Sequence, residues 1–140
     1  MTNNSTLPDG LYTAIASVIQ RARQQVKQAV NQQMVQVYWH IGRLIVEQEQ
    51  QGQQRAEYGK QQLDQLSRRL QDEFGKGFDV TNLRNMRQFY FTFPKRDALR
   101  LELSWTHYRS LIRIESPSAR EWYANEAATQ HWSARALDRQ

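Results

Sequence analysis

The sequence contains no cysteine. Disulfide scaffolds, thiol nucleophiles and Cys-ligated metals are thereby excluded together. Proline occurs only at Pro8, Pro94 and Pro117, and glycine only six times in 140 residues. A chain so short of breakers has few points at which a helix must stop. Long apolar runs are missing too, and none approaches the ~20 residues of a membrane-spanning helix. The start, MTNNSTLPDG, lacks the basic and apolar regions of a secretory signal, so the expected address is the cytoplasm, with no membrane partner. Hydrophobic residues make up 39% of the chain, below the roughly 45–50% of globular domains. One modest core is expected, fed by the aromatic residues, and not two. No segment alternates with period two, which leaves an all-α class.

Catalytic constellations are also scarce. His40, His107 and His131 lie far apart, and none has a carboxylate or second histidine at ligand spacing. No metal and no cofactor are expected. No Gly-rich phosphate loop, paired-carboxylate pocket or Ser/His/Asp arrangement is evident. Arg100 and His107 formally match the Arg-x(4–6)-His pattern of the all-α HEPN ribonucleases, but His107 reads better as a packing residue.

What the chain does hold is positive charge. The net charge is +5, carried by fifteen arginines and four lysines. Arginine suits planar recognition of phosphates and base edges. An excess of this kind points to an anionic partner, nucleic acid first.

Residues 1–9 read as a disordered N-terminus and 10–140 as one helical domain. Pro8-Asp9-Gly10 opens the first helix, with Asp9 as its N-cap. Leu11, Ile15, Val18, Ala22, Val26, Val30, Met34, Val37, Ile41 and Leu44 then follow at spacings of three and four. They define one stripe on a helix over 11–51, about 60 Å long. A 140-residue globule cannot cover that length. Either the helix breaks, near Asn31, or a partner buries the excess. Gly52 and its polar neighbours form a loop. A second helix spans 57–74 with Leu63, Leu66, Leu70 and Phe74 on one face, and Gly75 as its C-cap glycine. Asp79 or Thr81 caps a third helix, 80–93, with Leu83, Met86, Tyr90 and Phe93 inward. A charged connector, 95–103, leads to a fourth helix at 105–114. Ser116-Pro117 opens a fifth at 117–130, which buries Trp122, Tyr123 and Ala127. Ser133 caps a sixth, with Trp132 and Leu137 at the staple positions around the cap. That helix has barely begun at Gln140, so the sequence is expected to belong to a longer protein. The sum is a bundle of five to six helices, with C-terminal helices over 104–140.

Residues 57–93 read as a helix-turn-helix-like unit, two helices joined by a short glycine turn. On the third helix Thr81, Asn85, Gln88 and Thr92 lie opposite the apolar side, with Arg84 beside them. Asn, Gln and Arg make bidentate contacts with base edges. Asn82 and Arg87 flank the strip, within reach of phosphates. Residues 79–113 hold seven basic and three acidic side chains, so most of the net charge falls here. Polar face and charge coincide, as a DNA footprint requires. Arg109, Arg113 and Arg135 are further candidates for phosphate contact.

A family resemblance rests on strings that occur in order along the chain: Val37-Tyr38-Trp39-His40-Ile41-Gly42-Arg43, Ala56-Glu57-Tyr58-Gly59-Lys60, Phe74-Gly75-Lys76-Gly77-Phe78, Asn82-Leu83-Arg84-Asn85-Met86-Arg87-Gln88-Phe89-Tyr90, Leu103-Ser104-Trp105-Thr106-His107-Tyr108 and Trp132-Ser133. Together they resemble the N-terminal domain of the bacterial YhcG family over nearly all of 12–140. Members of that family carry a C-terminal PD-(D/E)xK nuclease domain. The resemblance implies a domain that binds duplex DNA and positions that nuclease on it. The family often has a small hydroxyl residue where Asp79 stands; both types cap a helix, but an acid weakens phosphate attraction. The nuclease signature needs a carboxylate two residues before a lysine. Gln25, Tyr58, Phe74 and Phe93 stand two before Lys27, Lys60, Lys76 and Lys95. No nuclease site is therefore expected in this chain. Residues 104–140 more loosely resemble the DNA-binding portion of ParB-like proteins, with Arg135 and Arg139 toward phosphates.

The long first helix supports a different class of function. Its uncovered stripe invites a second copy, and a homodimer is expected. The alternative to DNA binding is then a helical dimerisation or protein-interaction module without DNA contact.

Overall fold

A computed structural model describes residues 8–51 and 56–140, with only the helical backbone described for 56–60. The elements are α1 (Leu11–Gln51), α2 (Ala56–Phe74), α3 (Val80–Thr92), a single 3-10 turn (Arg96–Ala98), α4 (Trp105–Leu111), α5 (Pro117–Thr129) and α6 (Ala134–Asp138). The fold is all-α, and no strand occurs among the described residues. The disorder expected for the N-terminus falls mostly on 1–7, and the Gly52 loop on 52–55, outside the described residues.

α1 runs unbroken through Asn31. Its first turn closes through Ala14 N donating to Gly10 O at 2.8 Å. That bond makes Gly10, not Asp9, the capping residue. Only the C-terminal half of α1 joins the body, burying Val35, Trp39, Gly42, Ile45 and Val46. This buried face is not the apolar stripe. Leu44, a stripe residue, is 57% exposed. From Leu11 to Val30 the helix is exposed on every side apart from half-buried Ala16.

α1 crosses α3 at Gly42. A Cβ at this position would lie 2.0 Å from the Met86 carbonyl oxygen and 3.3 Å from Tyr90 Cβ. The two backbones touch because the side chain is missing. Trp39 Nε1, one turn away, donates to Phe93 O at 2.7 Å. α2 contributes Leu63 to a small cluster with Ile45, Leu83 and Met86. Leu70 packs half-buried against the same cluster, as expected. Leu66 and Phe74, however, are exposed, while Ser67 is buried and donates to Phe78 O at 2.7 Å. A polar residue is admitted there because its hydroxyl satisfies a turn carbonyl.

A larger cluster gathers Val35, Trp39 and Phe89 with Tyr108 and Leu111 of α4, Ala127 of α5 and Leu137 of α6. Trp105 packs against both clusters and so joins α2–α3 to the C-terminal helices. On α5 the buried residues are the small Ala124, Ala127 and Ala128, while Trp122 is exposed, contrary to its expected burial. α4 ends at Leu111, earlier than the apolar pattern suggested.

Candidate nucleic-acid interface

The turn between α2 and α3 is built by Gly75 and Gly77, both at positive φ. Asp79 then caps α3, its carboxylate accepting from Asn82 N at 2.7 Å. The cap neutralises a free amide at a helix start, which fixes where α3 begins. The Asn82 side chain is also committed. Its amide nitrogen donates to Gly77 O, and its oxygen accepts from Trp105 Nε1 at 3.2 Å. Asn82, expected from the sequence to flank the strip within reach of phosphates, therefore ties the glycine turn to α4.

α3 buries Leu83, Met86 and Phe89 completely. Phe89 is the third fully buried residue, while Tyr90 and Phe93, expected inward, pack half-buried against the larger cluster, so the buried face is turned from the expected setting. Asn85 and Thr92 are consequently half-buried. The outward face consists of Thr81, Arg84, Gln88 and Phe91. Gln88 Nε2 donates to Thr92 Oγ1 at 3.2 Å along this face. Arg84 forms no ion pair among the described residues. Phe91 is 54% exposed beside it. Phe91 was not expected at this face, being one of four aromatic residues crowded into positions 89–93, although its helical angle places it on Arg84's side.

Arg87 differs from Arg84. Its guanidinium contacts the Glu49 carboxylate of α1 at 2.7 Å, with both side chains about a third exposed. A phosphate contact by Arg87 would have to displace that carboxylate. Its partner stands 38 residues away, so no local pattern announces the pair.

Arg109, Arg113 and Arg135 are exposed on the α4–α6 side of the molecule. Arg113 lines a cleft of about 320 Å³ with Tyr123, Leu137 and Asp138. Ser110 Oγ donates to Asp138 Oδ1 at 3.1 Å across the same helix pair. These arginines belong to other elements than the α3 face.

The histidine and tyrosine chemistry is structural. Ser104 N donates to His107 Nδ1 at 3.0 Å, closing a capping box on α4. His107 Nε2 faces Trp132 O at 2.8 Å. An amide only donates and a carbonyl only accepts, so Nδ1 serves as acceptor and Nε2 as donor. Arg100 turns to Glu121, 2.9 Å away. With both groups so engaged, the ribonuclease pattern has no free general base. Tyr108 accepts from Arg100 N at 2.6 Å, and burial pushes its phenol up to about 12. It has no acid–base role near neutral pH. His40 is lowered from its usual value by desolvation and by nearby Arg96 and Arg43. Among the described residues no cluster of histidine and carboxylate side chains could hold a metal. No described helix is long and apolar enough to cross a membrane.

A protein of Escherichia coli (strain K12) named "Putative nuclease YhcG" is 36% identical over 115 residues, which cover 80% of this chain. The match spans 31% of that relative's length. No solved structure matches. The sequence profile of the DUF1016 N-terminal domain matches residues 14–140, and the chain belongs to that family.

Proposed function

We propose that this domain binds DNA through the outward face of α3 and, in a longer parent protein, positions a C-terminal PD-(D/E)xK nuclease on it. The observation that carries this is the coincidence on one exposed helix face of Arg84, Thr81 and Gln88, with Asn85 at its edge. Arg84 supplies a phosphate or guanine contact, and Gln88 and Asn85 supply adenine contacts. Arg109, Arg113 and Arg135 add phosphate contacts from the α4–α6 side. Support for the nuclease context comes from the E. coli relative's name and its greater length. The nuclease chemistry belongs to the parent's other domain and not to this chain. The domain acts in the cytoplasm, where the DNA is, and as a homodimer through α1, which presents two α3 faces to one duplex.

The test is fluorescence anisotropy of a labelled duplex and a labelled single strand at several salt concentrations. Duplex affinity is expected to fall linearly with log salt, by about 0.9 per phosphate contact. Arg84→Ala is expected to weaken binding and to reduce the slope by about one contact. Arg87→Ala is expected to leave the slope unchanged and to cost about 1 kcal/mol of stability through loss of the Glu49 pair. No binding at low salt by a folded protein would leave the interaction module as the function. Preference for the single strand would instead assign Phe91 as a stacking platform.

A further inference from the structure

The apolar stripe of α1 is symmetric about its own midpoint. Its members, from Leu11 through Val26 and Val30 to Leu44, are spaced so that the order reads the same from either end, to within one residue, about a point between Lys27 and Gln28. The mean spacing of about 3.7 residues is close to the helix's own 3.6, so the stripe stays on one side of a straight helix. It is the side left open from Leu11 to Val30 and again at Leu44, with Met34, Val37 and Ile41 half-buried between them. Val18 is 64% exposed and Val26 63%. Of the core residues, Val35, Trp39, Gly42 and Val46 face away from the stripe, while Ile45 borders it.

We infer that two copies pair antiparallel along α1, with a two-fold axis at Lys27–Gln28. Leu11 then meets the partner's Leu44, Ile15 the partner's Ile41 and Val18 the partner's Val37. Nearer the axis, Ala22 meets the partner's Met34 and Val26 the partner's Val30. A self-complementary patch of this kind is what a two-fold interface requires. The pairing specifies the homodimer proposed above and rests on it.

Two further observations favour this arrangement over a parallel pair, and a third supports pairing itself. First, a groove of about 300 Å³ opens between α1 and α2, lined by Ile41, Leu44, Leu63, Leu66 and Leu70. It lies at the C-terminal end of the same stripe. Antiparallel pairing delivers the exposed first turns of one copy to the groove of the other, whereas parallel pairing leaves both grooves empty. Second, residues 11–46 carry Arg21, Arg23, Lys27 and Arg43 and no acid. Parallel pairing stacks Arg21 and Arg23 beside their own copies, and like charges oppose association. Antiparallel pairing sets Arg21 and Arg23 beside the uncharged stretch Gln32–Val35, while Lys27 lies near its own copy in either arrangement. Third, the area suffices. The eight exposed apolar residues of α1 carry on the order of 800 Å² per copy, about what each partner contributes to a stable interface.

Engineered cysteines read the register directly, because the chain has none of its own. Leu11→Cys and Leu44→Cys alter exposed residues outside the core. The test treats each variant alone, and an equilibrated mixture of the two, with a short bismaleimide. A covalent dimer is expected from the mixture and not from either variant alone. Light scattering of the unmodified chain at tens of micromolar is expected to give the dimer mass. Val26→Glu/Val30→Glu, beside the axis, is expected to give a monomer with unchanged helical circular dichroism. A dimer in which either single variant links to itself would overturn the antiparallel register and leave the homodimer standing. So would a dimer that never cross-links, or one that survives Val26→Glu/Val30→Glu. A monomeric unmodified chain would overturn both the register and the homodimer.

Discussion

At Gly42 the hydrogen side chain lets the α1 backbone rest on the Met86 carbonyl. Gly42→Ala forces the two helices apart, because the obstructing atom is backbone and cannot rotate away. The expected cost is about 3 kcal/mol or more by thermal or denaturant unfolding. In the sequence Gly42 reads as a weak point in a helix, and nothing local reveals the crossing. Tyr108 carries a second residue-level prediction. Its phenol titrates near 12 in the folded chain and near 10 when unfolded. The folded state therefore favours the protonated ring, so its contribution is complete below pH 10 and is lost as pH rises toward 12. Tyr108→Phe is expected to flatten this alkaline loss. At neutral pH it costs about 1–2 kcal/mol, because Arg100 N loses its acceptor. Urea unfolding at several pH values checks both effects.

The helices as elements were largely legible. Capping serines, Asp79, Pro117 and the glycine pair at 75 and 77 are local signals, and each acts through backbone geometry within a few residues. The rotation of α3 was not legible. Phe89, Tyr90, Phe91 and Phe93 compete for the interior, and the choice belongs to the helices packed on either side. That rotation half-buries Asn85 and leaves Arg84, Gln88 and Phe91 outward. The end of α5 falls within one residue of the expected 130, but the way it closes was not legible. Trp132 N donates to Ala127 O at 3.0 Å, closing the helix around His131 at φ 55°. This is a glycine position occupied by histidine. His131→Gly is expected to raise stability by about 1 kcal/mol, by relieving the left-handed conformation; the unfolding midpoint checks it.

For the whole molecule, the sequence by itself determined the all-α class, a bundle of five to six helices and the existence of a stripe too long for one chain to bury. These follow from short-range periodicity, breakers and caps. Only the tertiary structure decided which face of α1 enters the core, and hence that the stripe stays open from Leu11 to Val30. It decided that Asn82 holds a turn and that Arg87 answers Glu49 while Arg84 stays unpaired among the described residues. Each of these outcomes joins residues tens of positions apart. A helical period fixes the angle between side chains on one rod. It carries no information on how that rod is turned against its neighbours, and that rotation is set by packing alone.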